Sequence, residues 1–77
     1  MTVGVFLINR IFATGMLRRD VSMKTGIAPR LLNDIIDGKR EINADIAKKL
    51  ETVLDVPAIV WMTWQAVDEL NKDKVYE

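Results

Sequence analysis

The stretch RRDVSMKTGIAPRLLNDIIDGKR (residues 18–40) holds two short helical patterns on either side of a single glycine. The first pattern runs from about Leu17 to Thr25 and the second from Pro29 to about Asp37. Only Gly26, Ile27 and Ala28 separate them. A reversal of direction in three residues requires a positive φ, which glycine adopts without penalty. Pro29 suits a first helical position, whose N–H has no partner anyway. Ser22, four residues before the glycine, is small enough for two helices to cross closely. Val21, Ile27, Leu32 and Ile35 then meet beneath the crossing. Pro29, Arg30, Asn33 and Asp34 stay outward on the second helix, where a helix laid in the major groove offers side chains to base edges.

Outward from this core, apolar residues keep helical spacing almost everywhere. A first helix is expected over about 3–14, with Val5, Leu7, Ile8, Ile11 and Phe12 in one broad arc and Gly15 as its stop. A fourth is expected over 44–54, capped by Asn43, with Asp45 in its first turn. Its stripe is Ile46, Ala47, Leu50, Val53 and Leu54. A fifth is expected over 57–72, opened by Pro57, and residues 73–77 read as a fraying polar tail. The fold expected is all-α, five helices in one domain over residues 1–77. The fifth helix carries more apolar surface than one core needs. Ile59, Met62, Ala66 and Leu70 form the stripe assigned to the core. Val60, Trp64 and Val67 form a second, with Trp61 further round. That second stripe either packs on helix one or four, or forms a homodimer contact of Val60, Trp61, Trp64 and Val67. Exposed Trp and Met suit the centre of such a contact.

Composition narrows the chemistry. The chain has 77 residues, no Cys and no His. That removes disulfides, thiolate nucleophiles, the usual zinc sites and the commonest general base. No phosphate-binding glycine loop and no paired carboxylates in an evident cleft are present. Neither enzymatic activity, nor a cofactor, nor a metal is expected. No apolar run approaches the roughly 20 residues a membrane helix needs. The run from Val3 to Ile8 is short and lacks a preceding cation, so it makes a poor signal peptide. A cytoplasmic protein without a membrane partner is the plain expectation. Net charge is zero, but residues 1–40 hold seven basic and three acidic side chains, and residues 41–77 hold four and eight. The halves therefore carry +4 and −4. Phosphate binding responds to local charge, not to the molecular sum.

With these residues in view, the chain resembles the Xre (lambda-repressor-like) helix-turn-helix family. More narrowly, it resembles the HigA/VapI-type antidotes of plasmid-maintenance toxin–antitoxin systems. The matching text is GMLRRDVSMKTGIAPRLLNDIIDGKREINADIAKKLETVLDVPAIVWMTWQAVDEL, residues 15–70, and Gly4 and Leu7 continue it towards the start. The block DGKREINADIAKKL is typical of the whole family. VWMTWQAVDEL, with Trp61 and Gln65, marks the antidote branch.

The resemblance implies a helix-turn-helix at helices two and three and a double-stranded DNA operator as partner. It implies a phosphate contact at Arg18, with Arg19 beside it, and base reading by Pro29, Arg30, Asn33 and Asp34. Ala28, at the start of that helix, is also placed among the DNA-binding residues, and Lys39 and Arg40 approach the backbone. It further implies a repressor of its own operon that neutralises a small RNase-type toxin on folded surface. The chain departs from the family pattern at two small residues. Ser22 stands where Ala is usual. Ala28 stands where a capping Ser or Thr is usual, at a local cost of about 0.5–2 kcal/mol. Asp20, Asp34 and Asp37 also bring negative charge near a phosphate surface. Two alternatives stay open: a lone Xre-type repressor, of host or phage origin, and a protein-interaction module on the same fold that has lost DNA binding.

Overall fold

A computed structural model describes residues 2–72. It contains α1 (Val3–Thr14), α2 (Arg18–Thr25), α3 (Pro29–Ile36), α4 (Ala44–Leu54) and α5 (Ala58–Lys72), with no strand among the described residues. The architecture is all-α, as the apolar spacing implies. The expected tail, residues 73–77, lies outside the described residues.

Helix ends follow local chemistry. Thr2 accepts from the Val5 N–H at 3.2 Å and Asn43 accepts from the Ile46 N–H at 2.9 Å, capping α1 and α4. Each thereby satisfies one of the donors a helix start leaves open. Asp20 reaches back to the Leu17 N–H at 3.2 Å and so supports the start of α2. At α5 the donor is satisfied from a neighbouring element: Glu51 of α4 accepts from the Ala58 N–H at 2.7 Å. Pro57 stands one residue before α5, and its carbonyl accepts from the Val60 and Trp61 N–H groups.

α4 packs on α5, α2 and α1, and α1 also packs on α3 and α5. Leu7, Val21, Leu32, Ile35, Leu50, Leu54 and Trp61 are fully buried where these faces meet. α1 comes close to the end of α3. A Cβ built on Gly4 would collide with the carbonyl oxygens of Ile35 and Ile36 at the end of α3. Only a residue without a side chain allows that contact.

Two expected faces turn out differently. On α1, Leu7 and Ile11 are buried, but Phe12 is 86% exposed and Val5 is also exposed. The buried arc of α1 is narrower than its apolar arc, because Gly4 and Val3 complete it on the α3 and α5 side. On α5 the core face consists of Trp61, Gln65 and Asp68, while Ile59 (71%) and Leu70 (62%) are exposed. Ala66 is exposed as well and Met62 is half-buried. The stripe assigned to the core is thus roughly 140° round the helix from the face that enters it.

The cause is polar. Gln65 Oε1 accepts from the Ile42 N–H at 2.8 Å, and Asp68 Oδ2 accepts from the Val3 N–H at 2.8 Å. A buried backbone N–H left without a partner costs on the order of 1–3 kcal/mol. These two acceptors tie α5 to the loop before α4 and to the start of α1. Trp61, four residues before Gln65 on the same buried face, donates its Nε1–H to the Val56 carbonyl at 3.0 Å. Its ring meets Phe6 with centroids 5.1 Å apart.

Candidate nucleic-acid interface

The turn between α2 and α3 is held by more than a glycine. Gly26 has φ 77° and its N–H reaches the Ser22 carbonyl at 2.9 Å. Ser22, buried at the crossing, donates its hydroxyl to the Ile27 carbonyl at 2.5 Å. Thr25 donates to the Val21 carbonyl at 2.7 Å and accepts from the Ile27 N–H at 3.1 Å. The departure to serine therefore has a use: its hydroxyl donates to a turn carbonyl that alanine would leave unpaired. Thr25 is a turn residue that spacing alone does not reveal. Its sign in the sequence is a hydroxyl directly before the glycine, able to bond the backbone locally.

This turn sets α3 on the surface. Leu32 and Ile35 point into the core, and Leu31 and Ile36 are half-buried. Ala28, Pro29, Arg30 and Asn33 are exposed, and Asp34 is half-buried. Ala28 makes no side-chain cap, as its chemistry dictates. Arg30, Asp34 and Arg40 line one shallow hollow of about 300 Å³ with Ala28 and Leu31. Lys39 and Arg40 line a second, polar hollow with Gly38, Glu41 and Asn43. Asp34 therefore shares one hollow with two arginines. Arg18, at the start of α2, donates from Nη1 to Asn33 Oδ1 at 3.0 Å. Arg19 is exposed beside it.

Two charged side chains of the first half bond within the domain. Asp20 is engaged with the start of its own helix. Arg10, counted in the basic half, belongs to the interior side of the molecule: its Nε donates to the Leu54 carbonyl at 3.0 Å. The cations left facing outward from α2 to the loop after α3 are Arg18, Arg19, Lys24, Arg30, Lys39 and Arg40. They lie at exposed positions of α2, of α3 and of the loop that follows it; contacts to a duplex backbone are of this chemical kind.

A helix-turn-helix family model matches residues 10–61, which include this entire arrangement. The chain belongs to the Xre-like helix-turn-helix family. Its members are DNA-binding regulators and not enzymes. A comparison with curated proteins gave no match. Among solved structures, the helix-turn-helix domain superposes on a crystal structure from Nostoc punctiforme, of a protein assigned as an antidote protein of a plasmid maintenance system. The TM-score is 0.89 at 18% identity, covering 99% of this chain and 84% of that one. At that identity the likeness is one of fold. Among the described residues no helix is long and apolar enough to cross a membrane.

The second candidate surface of this helix-turn-helix domain needs one correction. Trp61 is 0% exposed and so cannot belong to a contact between copies. Its indole is consumed by the core and by the Val56 carbonyl. Trp64 is half-buried, stacked on Phe6 with centroids 5.1 Å apart and ring planes 21° from parallel. The reading in which the second stripe packs against helix one therefore holds for the inner side of Trp64. The outer side joins Ile59, Val60, Thr63 and Val67 in an open apolar groove of about 360 Å³.

Proposed function

We propose that the chain is a homodimeric, operator-binding repressor of the antidote kind, which lays α3 in the major groove, controls its own operon and neutralises a small RNA-cleaving toxin. The observation that carries the DNA part is the exposed α3 surface. Arg30 and Asn33 lie on it, with Arg18, Arg19, Lys39 and Arg40 around its edges. Arg30 and Asn33 are assigned to bases, with Ala28, Pro29 and Asp34 at their margins. The four flanking cations are assigned to phosphates. The antidote part is supported by the fold shared with the Nostoc punctiforme protein. The proposed site of action is the cytoplasm.

The homodimer is assigned to the apolar groove on α5. Ile59 replaces Trp61 in that contact, beside Val60, Trp64 and Val67. A twofold axis there sets two copies of α3 on one face of a duplex, where half-sites one turn apart lie about 34–36 Å from each other. Val67 is 39% exposed, so a charge at this position disturbs the groove and not the core. Val67→Glu is expected to sediment as a monomer with an unchanged far-UV spectrum. Loss of bivalent attachment then lowers affinity for the chain's own upstream DNA by roughly 100-fold. A variant that stays dimeric removes this face from the proposal.

A further inference from the structure

We propose that the exposed end of the Ala58–Met62–Ala66–Leu70 ridge on α5 is the docking surface for the small RNA-cleaving toxin, held by apolar contact and by the carboxylates around it. This rests on the antidote reading above and assigns its partner to a face. The four residues follow one another at every fourth position and so form one ridge along the helix. Ala58 and Met62 are half-buried, whereas Ala66 and Leu70 are exposed, Leu70 by 62%. Ala66 and Leu70 stand roughly 100° round the helix from Val60, Trp64 and Val67, the side assigned to the second copy. From Met62 through Ile59 to Trp64, the outward apolar surface of α5 is roughly 200° wide. One packed helix face takes about 100°. A second copy therefore leaves the ridge uncovered, and a further partner has room on it.

Charge decides which partner fits. Glu51 Oε1 accepts from the Ala58 N–H at 2.7 Å, which sets this carboxylate at the start of the ridge. Glu69 stands next to Leu70 near the other end, and Asp55 lies in the turn between α4 and α5. All three are exposed. On α4, Lys48 is exposed, and Lys49 is paired with Asp45 at 3.2 Å. The balance on this flank is acidic, opposite in sign to the cations of α2, α3 and the loop that follows. A protein that cleaves RNA holds a phosphate backbone and is cationic where it does so. Such a surface is repelled by the cations around α3 and drawn to the carboxylates of α4 and α5. Docking there leaves α3 free, so toxin and operator bind the same chain at once. It also sets carboxylates against the cations that the toxin uses for RNA, which is how binding silences it.

The test is calorimetric titration of the small protein encoded beside this chain in its operon into the intact chain, Leu70→Lys and Glu69→Lys. Both positions are exposed; circular dichroism checks that each variant is folded, and sedimentation reads its assembly state. Leu70→Lys is expected to weaken binding by roughly tenfold or more. Glu69→Lys is expected to weaken it by roughly tenfold at low salt and by less as salt rises. Affinity for the chain's own upstream DNA does not fall in either variant, and the operator-bound wild type binds the small protein as tightly as the free chain does. Full affinity in either variant overturns the proposal and leaves the antidote reading standing. So does competition between the small protein and the operator, or conversion of either variant to a monomer, which assigns the ridge to the self-contact. If the small protein does not bind the wild type, the docking surface and the antidote reading fail together.

Discussion

Trp61→Ala removes a large share of the domain's stability. The indole is wholly buried, meets Phe6 and donates to the Val56 carbonyl. Truncating a buried tryptophan costs about 3–5 kcal/mol in transfer and cavity terms. A chain of this length has a net stability on the order of 4–12 kcal/mol, so the loss takes a large share of it. Urea unfolding followed by circular dichroism reads the effect: the midpoint falls sharply, or the variant is unfolded without denaturant. A variant with near-wild-type stability would mean that Trp61 lies at a surface, as a dimer contact would require.

Gly4→Ala is the second large effect, and its sign is the informative part. In an open helix the change stabilises by up to about 1 kcal/mol, because glycine is the poorer helix former. Here the new methyl meets the backbone carbonyls of Ile35 and Ile36, which cannot swing aside as a flexible side chain can. α1 must move off α3, and overpacking of this kind costs up to about 3 kcal/mol. The steric term wins, and a net loss of about 2 kcal/mol is expected in the same unfolding experiment. A neutral or stabilising result contradicts the close α1–α3 contact.

Much of the fold is legible locally. Gly26 and Pro29 mark the turn and the start of α3, Asn43 caps α4, and the buried pair Leu32 and Ile35 follows from spacing. Each rests on interactions within a few residues, which is the range a pattern can reach. The rotation of α5 is not local. It is set by Gln65 bonding Ile42, 23 residues away, and Asp68 bonding Val3, 65 residues away. Hydropathy assigns those two polar residues outward and Ile59 and Leu70 inward, and the buried N–H groups reverse the assignment. The same limit explains Gly4, whose need for no side chain comes from the end of another helix. On the candidate site, exposure of Arg30 and Asn33 is readable from the helical wheel. The bond from Arg18 to Asn33 is not, because it depends on the crossing of α2 and α3. Phe12 remains the outlier: it is highly exposed, and nothing in the structure explains an aromatic side chain there.

The claim on which the functional reading depends is that the cations around α3 neutralise phosphates. The most direct measurement is the salt dependence of binding to the chain's own upstream DNA, by fluorescence anisotropy across a range of potassium chloride concentrations. Each phosphate neutralised contributes about −0.9 to the slope of log affinity against log salt. With Arg18, Arg19, Lys39 and Arg40 engaged, the predicted slope is about −3.6 for one protomer and about −7 for a dimer. A slope near zero, or no binding at the lowest salt, would contradict the account.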